Sequence, residues 1–407
     1  SVQRGEPTAI RTEKRAHLRY KGSHQALEVP FGDENALRAG FDKAHLARFG
    51  FSAGERELVF EALAVEAVGG AAEIADAKQA PTDAPAHPVA HVETHFGGGA
   101  VPLYDRETMR PGQSVMGPAI VKEPTGTNVI EPGWRAALNE WGHLILTRAV
   151  PMERAEALGT EADPVMLEVF NNLFMNIAEQ MGATLANTAY SVNIKERLDF
   201  SCALFSPDGR LVANAPHVPV HLGSMSESIR TVIRLNPDMK EGDVYVLNAP
   251  FNGGTHLPDV TVITPVFDSK NGGGKPIFYV ASRGHHADIG GKTPGSAPPD
   301  SRHIEEEGVL IDNFLMVDGG EFREAETRAL LTSGKYPVRN LEENMADLAA
   351  QVAANETGAR EIMKMIDQFG LDVVHAYMGH VQDNAEESVR RVIDALKDGA
   401  YDYELDN

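Results

Sequence analysis

The stretch Asn248 to Gly291, NAPFNGGTHLPDVTVITPVFDSKNGGGKPIFYVASRGHHADIGG, gathers the side chains best able to do chemistry: His256, Asp259, His285, His286 and Asp288. His256 and Asp259 stand three apart across Leu257 and Pro258, so a bend there lets an imidazole and a carboxylate converge. Two imidazoles and a carboxylate with open positions are the ligand set of a hydrolytic or Lewis-acid divalent metal such as Mn, Fe or Zn. The spacing is no established metal motif, and histidines in loops also serve as plain hydrogen-bonding groups. Both readings are open on the residues alone. Imidazoles and carboxylates at predicted strand ends beside glycine clusters keep a site in view.

A second cluster, NAPHVPVHLGSMSESI, carries His217 and His221 followed by Ser224 and Ser226 ahead of a helix expected over Glu227 to Leu235. The free N–H groups at the start of that helix could take a carboxylate or phosphate, and either serine could equally be its N-cap. His217 and His221 are read as supporting groups rather than ligands. On a long C-terminal helix, Asp347, Gln351 and Asn355 recur at every fourth position and stack along one side. Such a row ordinarily faces water, and its amides also allow it to line a pocket. Cys202, mid-strand in DFSCALF, reads as core rather than nucleophile. The runs GGGA after His95 and NGGGK at Asn271 lack the Gly-x-x-x-x-Gly-Lys-Ser/Thr pattern of a phosphate loop, so no ATP site is expected in this chain.

The elements that must position these groups follow from hydrophobic periodicity. Asp259 to Val266 and Pro276 to Ser282 read as strands, and a hairpin through the Gly-rich loop Asn271 to Gly274 would return His285 and His286 to the start of the first strand, beside His256 and Asp259. Leu198 to Phe205 and Leu211 to Ala213 flank the turn SPDGR, and Asp243 to Asn248 is a further strand. Helices are expected over Asp163 to Leu185, with Asp163 as N-cap, and over Leu341 to Phe369 and Ala385 to Leu396. Nearer the N-terminus, strands at Ala16 to Tyr20, Ala26 to Phe31 and Glu57 to Val68 surround a helix over Glu34 to Arg48. A loop follows over Ala71 to Pro88, and Met116 to Arg148 reads as a small antiparallel meander. The fold class expected is α+β: multi-domain, with a β-rich core of mixed or antiparallel sheets and a C-terminal pair of long helices.

Composition removes several function classes. The chain has 407 residues, with 37 Lys plus Arg against 59 Asp plus Glu, a net charge of −22. It would repel a phosphate backbone, so nucleic acid is not an expected partner. One cysteine excludes an internal disulfide and a thiolate zinc cluster and fits a reducing compartment. No stretch approaches the roughly 18 apolar residues of a membrane span, and Ser1 to Arg11 lacks the apolar core of a signal peptide. A cytoplasmic protein with no membrane contact is expected. Ser301 to Asn407 alone carries 23 acidic and 10 basic residues, which points to a solvated or interface-forming helical layer away from the histidines.

Four segments, KERLDFSCALFSPDGRLVANAPHVPVHLGSM, NAPFNGGTHLPDVTVITPVF, ASRGHHADIGGKTPGSAPP and ENMADLAAQVAAN, closely resemble the N-terminal part of the hydantoinase B / 5-oxoprolinase family, over residues 163–407. AHLRYKGSHQALEVPF, FDKAHLARFGF and PLYDRETMRPGQSVMGPAIVKEPTGTNVIEPGW resemble the C-terminal part of the companion hydantoinase A region. The expected division is 1–150 for the A-type part, a linker at 151–162, and 163–407 for the B-type part. This order resembles that of fused ATP-dependent 5-oxoprolinases, so the chain reads as the central piece of a longer polypeptide, inactive by itself.

The resemblance implies that ATP and Mg act in an N-terminal region not present here, phosphorylating the lactam oxygen of 5-oxoproline. The B-type part would then open the activated ring with water to give glutamate. It also implies a metal held by a His-x-x-Asp pair and a later histidine, as in the related acetone carboxylases: His256, Asp259 and His286, with His285 as the other choice. Around them, His217, His221, Ser224, Asp288, Asp347, Gln351 and Asn355 are expected to contact substrate or support the ligands. The expected partners are the remaining regions of the same polypeptide or a companion subunit, a small lactam, and further copies of the chain in a homo-oligomer. An N-methylhydantoinase-like hydrolase or an acetone-carboxylase-like subunit shares the visible residues. A non-catalytic assembly module is the alternative of another class.

Overall fold

A computed structural model of the chain describes residues 10–21, 26–51, 56–69, 78–96, 98–150, 159–268, 274–295, 298–400 and 402–404. The expected loop at 271–274 lies outside them except for its last residue, and so do 71–77 and 151–158 of the expected loop and linker. By packing, the chain forms two compact units, one drawn from residues 67–158 with 1–11 and the other from 12–66 with 159–407. The break at 158/159 falls within the expected linker 151–162, while residues 12–66 group with the part that follows it. The reason is apolar: Leu18, Val29 and Phe41 share one buried cluster with Val246, Val262 and Leu348.

The chain opens with strands β1 (Ile10–Tyr20) and β2 (Leu27–Pro30), helix α1 (Glu34–Phe49) and strand β3 (Leu58–Gly69), the strands forming a sheet of order β2-β1-β3. Asp33 caps α1 by accepting from the Ala36 N–H at 2.8 Å, which fixes the helix start where the sequence places it.

The smaller unit holds β4 (Ala90–Thr94), β5 (Gly99–Asp105), β6 (Ser114–Met116), β7 (Ala119–Lys122), β8 (Thr127–Ile130), β9 (Trp134–Leu138) and β10 (Leu144–Arg148). They form two small sheets, β4-β5-β7-β8 and β10-β9-β6, rather than the single meander expected. β5 and β7 run parallel, so the chain crosses over between them instead of turning back.

The larger unit continues with α2 (Pro164–Thr188), α3 (Val192–Lys195), β11 (Phe200–Phe205), β12 (Leu211–Asn214), α4 (Pro219–Leu235), β13 (Val244–Leu247), β14 (Asp259–Val266), β15 (Phe278–His285), β16 (Phe314–Asp318), β17 (Glu321–Phe322), α5 (Glu324–Leu331), α6 (Leu341–Phe369) and α7 (Leu371–Ala395). Its strands make an antiparallel sheet of order β12-β11-β15-β14-β13-β16-β17. The class is α+β with long C-terminal helices, as the periodicity predicts.

Side chains alternate across this sheet. Odd-numbered Ala203, Tyr245, Ile263 and Ala281 pack against Met225, Ile229 and Val232 of α4. Even-numbered Val246, Val260 and Val262 pack against Leu348 and Val352 of α6. Both faces are therefore buried, and β11, β13, β14 and β15 are almost wholly inaccessible. The expectation that the acidic C-terminal helices form a layer away from the histidines fails for α6, which packs on β14 and β15 themselves. The last turns of α7, from Asp383 onward, are exposed at every residue.

Several boundaries move: β1 starts at Ile10 rather than Ala16, and β15 runs Phe278–His285 rather than Pro276–Ser282. α4 begins at Pro219, two turns before the expected Glu227, because Pro219 suits a first helical turn. α7 begins at Leu371 rather than Ala385, and its first half buries Val374, Tyr377 and Met378. Among the described residues, no helix is long and apolar enough to cross a membrane.

Candidate metal centre

β14 and β15 pair in antiparallel register with Asp259 directly opposite His285. The hairpin thus brings the two ends of the motif together, as its spacing predicts. At the Leu257-Pro258 bend the Asp259 N–H donates to the His256 carbonyl at 2.9 Å, which turns both side chains to one side.

The three groups meet at one oxygen. Oδ1 of Asp259 lies 2.8 Å from His285 Nδ1 and 3.2 Å from His256 Nε2. The ligand atoms of His256, Asp259 and His285 all lie within 4.8 Å of one another. A third imidazole arrives from α4: His221 Nε2 sits 3.3 Å from Oδ2 of the same carboxylate. The Thr255 hydroxyl donates to Oδ2 as well.

Asp259 is 2 % exposed at its side chain, His256 46 % and His285 21 %, so two of the buried anion's imidazole partners reach toward solvent while His221 is buried with it. Burial alone would raise the Asp259 pKa, but hydrogen bonds from His221, His256, His285 and Thr255 outweigh it and hold the carboxyl well below its ordinary range. The same hydrogen bond raises the His256 pKa, against the opposing effect of burial.

His286 does not join this cluster; of the two histidines expected as alternatives, it is His285 that lies beside Asp259. The reason is strand alternation: His285 points to the α4 face with Asp259, while the next residue points to the α6 face. There Asn344 Nδ2 donates to His286 Nδ1 at 3.0 Å, and His286 Nε2 donates to Gln351 Oε1 at 3.0 Å. Both nitrogens are used by uncharged amides, and burial lowers the imidazole's pKa.

The remaining expected residues divide in the same way. His221 touches the cluster. His217 accepts the Cys202 N–H at 3.0 Å on Nδ1 and packs edge-on to Phe200, and its pKa is lowered by burial and by His221. Ser224 lies inside α4, so the anion site expected at a helix N-terminus beside it is not built. Asp288 pairs with Arg339 at 2.5 Å, away from the cluster.

Asp347, Gln351 and Asn355 face neither water nor a pocket: all three are 0 % exposed and tie α6 to the body of the unit. Asp347 accepts from the Tyr190 and Ser191 N–H groups at 2.7 and 3.1 Å. Gln351 Nε2 donates to the carbonyls of Val260 and Ser282, and Asn355 Nδ2 to that of Val262. Cys202 is buried, and burial pushes its thiol up, so it is core.

Residue-by-residue reading misses Thr255, Asn344, Asn248 and Arg283. Asn248 holds the site loop by donating to the carbonyls of Leu257 and Val309 at 2.8 and 3.0 Å. Arg283 carried a signal, being a charge within the otherwise uncharged strand FYVASRGH.

The donor set fits a divalent metal of the Mn, Fe or Zn type. One carboxylate oxygen and two imidazole nitrogens converge from the β14/β15 hairpin and the bend before it, with the carboxylate ionised and the two imidazoles open to the outside.

The sequence matches the hydantoinase B/oxoprolinase family over residues 163–407 and the hydantoinase/oxoprolinase C-terminal domain over residues 43–149. It is 44% identical over 405 residues to 5-oxoprolinase 1 of Arabidopsis thaliana, covering 95% of this chain and 32% of that protein. With 5-oxoprolinase of Saccharomyces cerevisiae it shares 39% identity, over 94% of this chain and 31% of that protein. The chain thus spans about a third of the length of these curated relatives. Among solved structures, the ATP-dependent caprolactamase from Pseudomonas jessenii is similar with a TM-score of 0.53 at 30% identity, over 58% of this chain and 40% of that one.

Proposed function

The chain belongs to the hydantoinase B/oxoprolinase family, and we propose that His256, Asp259 and His285 form the divalent-metal half-site of an ATP-dependent 5-oxoprolinase, at which an activated lactam is opened by water. The observation that carries this reading is the convergence of three ligand atoms within 4.8 Å on a buried carboxylate. The overall reaction would be 5-oxo-L-proline plus ATP plus water giving L-glutamate, ADP and phosphate.

An unstrained five-membered amide is a poor electrophile, so phosphorylation of its oxygen elsewhere in the polypeptide supplies the leaving group. A bound divalent ion supplies Lewis-acid polarisation of the reacting group. The chain's own residues do the rest. Asp259, ionised and buried, fixes the charge of the centre. His256, half-exposed, faces the incoming substrate. His221 and Thr255 occupy Oδ2 and so leave Oδ1 as the oxygen shared with His256 and His285.

A second reading keeps the same half-site and changes the ring. One similar protein of known structure is a caprolactamase, which supports a lactam wider than five members. The higher identity to 5-oxoprolinases supports the smaller one. The test is glutamate release by the complete polypeptide from 5-oxoproline with ATP, compared with caprolactam and hydantoins, before and after the bound divalent metal is stripped by a chelator, the chelator is removed and Mg²⁺ is returned for ATP. Glutamate formation that is lost on stripping and not restored by Mg²⁺ alone is the expected result. Turnover of caprolactam alone would transfer the assignment, and activity untouched by thorough metal removal would overturn the metal half-site.

A further inference from the structure

We propose that Arg283 is a positioning residue of this centre, a group that ties the helix carrying His221 and the loop carrying His256 to the strands carrying Asp259 and His285. The inference rests on the metal reading above. Arg283 is 0 % exposed and lies on the α4 face of β15, two residues before His285.

Its guanidinium makes five hydrogen bonds to three separate segments. Nε donates to Thr261 Oγ1 on β14 at 2.7 Å. Nη1 donates to the His221 carbonyl at 3.1 Å and to Ser224 Oγ at 2.5 Å, both on α4. Nη2 donates to Ser228 Oγ on α4 at 2.8 Å and to the Gly253 carbonyl at 2.7 Å, just before the His256 loop. A guanidinium has five N–H donors, so its capacity matches the acceptors that meet it.

None of the acceptors is charged. A fully buried cation usually stands against a carboxylate, and this one makes no hydrogen bond to any. Burial pulls the Arg283 pKa down to about 10, and the Asp259 carboxylate works through space against that shift. The cation thus remains ionised at neutral pH and faces the same anion that gathers the imidazoles.

A residue needed only to fill this volume would be apolar. Gly253 lies at φ +90°, where a Cβ would come 2.2 Å from the Ser228 nitrogen, so loop and helix touch without slack at the point where Arg283 ties them. His221 and His256 take their places relative to Asp259 through that contact. Lysine would supply a point charge but not the planar fork that reaches all three segments.

The test is Mn²⁺ titration of the complete polypeptide, followed by calorimetry and by electron paramagnetic resonance, with thermal unfolding measured in parallel. Arg283→Met should bind Mn²⁺ roughly 10–100-fold more weakly, the scale seen when a group that orients metal ligands is lost. Arg283→Lys should recover only part of that. A Ser224→Ala, Ser228→Ala double variant keeps the charge and removes two acceptors, and should show a smaller loss in the same direction.

If the unaltered polypeptide takes up neither Mn²⁺ nor Zn²⁺, the metal reading itself fails. If it binds metal, and Arg283→Met and the serine variant bind as tightly while losing only thermal stability, Arg283 is a core residue and the proposal is overturned. Should Arg283→Met not fold, the serine variant decides, and unchanged Mn²⁺ affinity there overturns the proposal.

Discussion

His285 and His286 are consecutive, yet they stand on opposite faces of one sheet in opposite chemical settings. On the α4 face, three imidazoles and a threonine hydroxyl converge on one buried carboxylate. On the α6 face, an imidazole is enclosed by Asn344 and Gln351, and the helix amides go on to cap strand carbonyls. Both faces bury polar groups, although His256 and His285 keep access to solvent and His286 does not. The difference lies in what the partners are. Neutral amides match an imidazole donor for acceptor and leave nothing to bind, whereas a shared anion concentrates lone pairs that an ion can use.

The sharpest way to break this contrast is Asp259→Asn. It keeps the shape and removes the charge, and should cost at least about 100-fold in Mn²⁺ affinity, more than the loss of a supporting partner. Retained tight binding would mean that the carboxylate is not the centre of the cluster.

The paired variants His285→Ala and His286→Ala come next. The first should weaken Mn²⁺ binding by roughly 100-fold with little loss of stability, as expected when a ligand rather than a core group is removed. The second should leave Mn²⁺ affinity within about twofold and lower stability by ~1–3 kcal/mol, because it strands two buried amide groups. The reverse pattern, read by calorimetry and thermal unfolding, would exchange the roles assigned to the two faces.

Acid should separate the faces as well. Ligation needs an unprotonated imidazole, and Asp259 raises the His256 pKa above the ordinary histidine value, so protons compete for this group from higher pH downward. Mn²⁺ affinity should therefore be full above the raised pKa and fall as pH drops through it, by about tenfold per pH unit for each proton taken up. His286, whose pKa is lowered, should add nothing to that slope. An affinity flat from about pH 8 to about pH 6 would contradict the assignment of His256 as a ligand. The smallest effect belongs to Gln351→Leu, which unpairs the His286 N–H and should destabilise the protein by about 1–3 kcal/mol with Mn²⁺ binding unchanged.

Much of this was legible beforehand in local terms. Asp163 caps α2 as its position suggests, accepting from the Met166 N–H at 2.8 Å. The extent of α6 follows directly from its apolar repeat, and the β14/β15 hairpin follows from two β-rich runs around glycines. What escaped was anything decided by a partner distant in sequence. The first half of α7 looked unremarkable because Tyr377 finds its stacking partner in Phe170, on another helix. The amide row on α6 looked like a solvent face because its acceptors are carbonyls of β14 and β15, which no helical periodicity can reveal.

The ingredients are readable along the chain: the His-x-x-Asp bend, the histidine pair at a strand end, the α+β class and the family. Packing settles which histidine meets Asp259, brings His221 to them and sets Arg283 behind them. The physical reason is that a strand sends neighbouring side chains to opposite faces. Which face becomes the site depends on strand register and on the helix packed there, and neither is a local property of the chain.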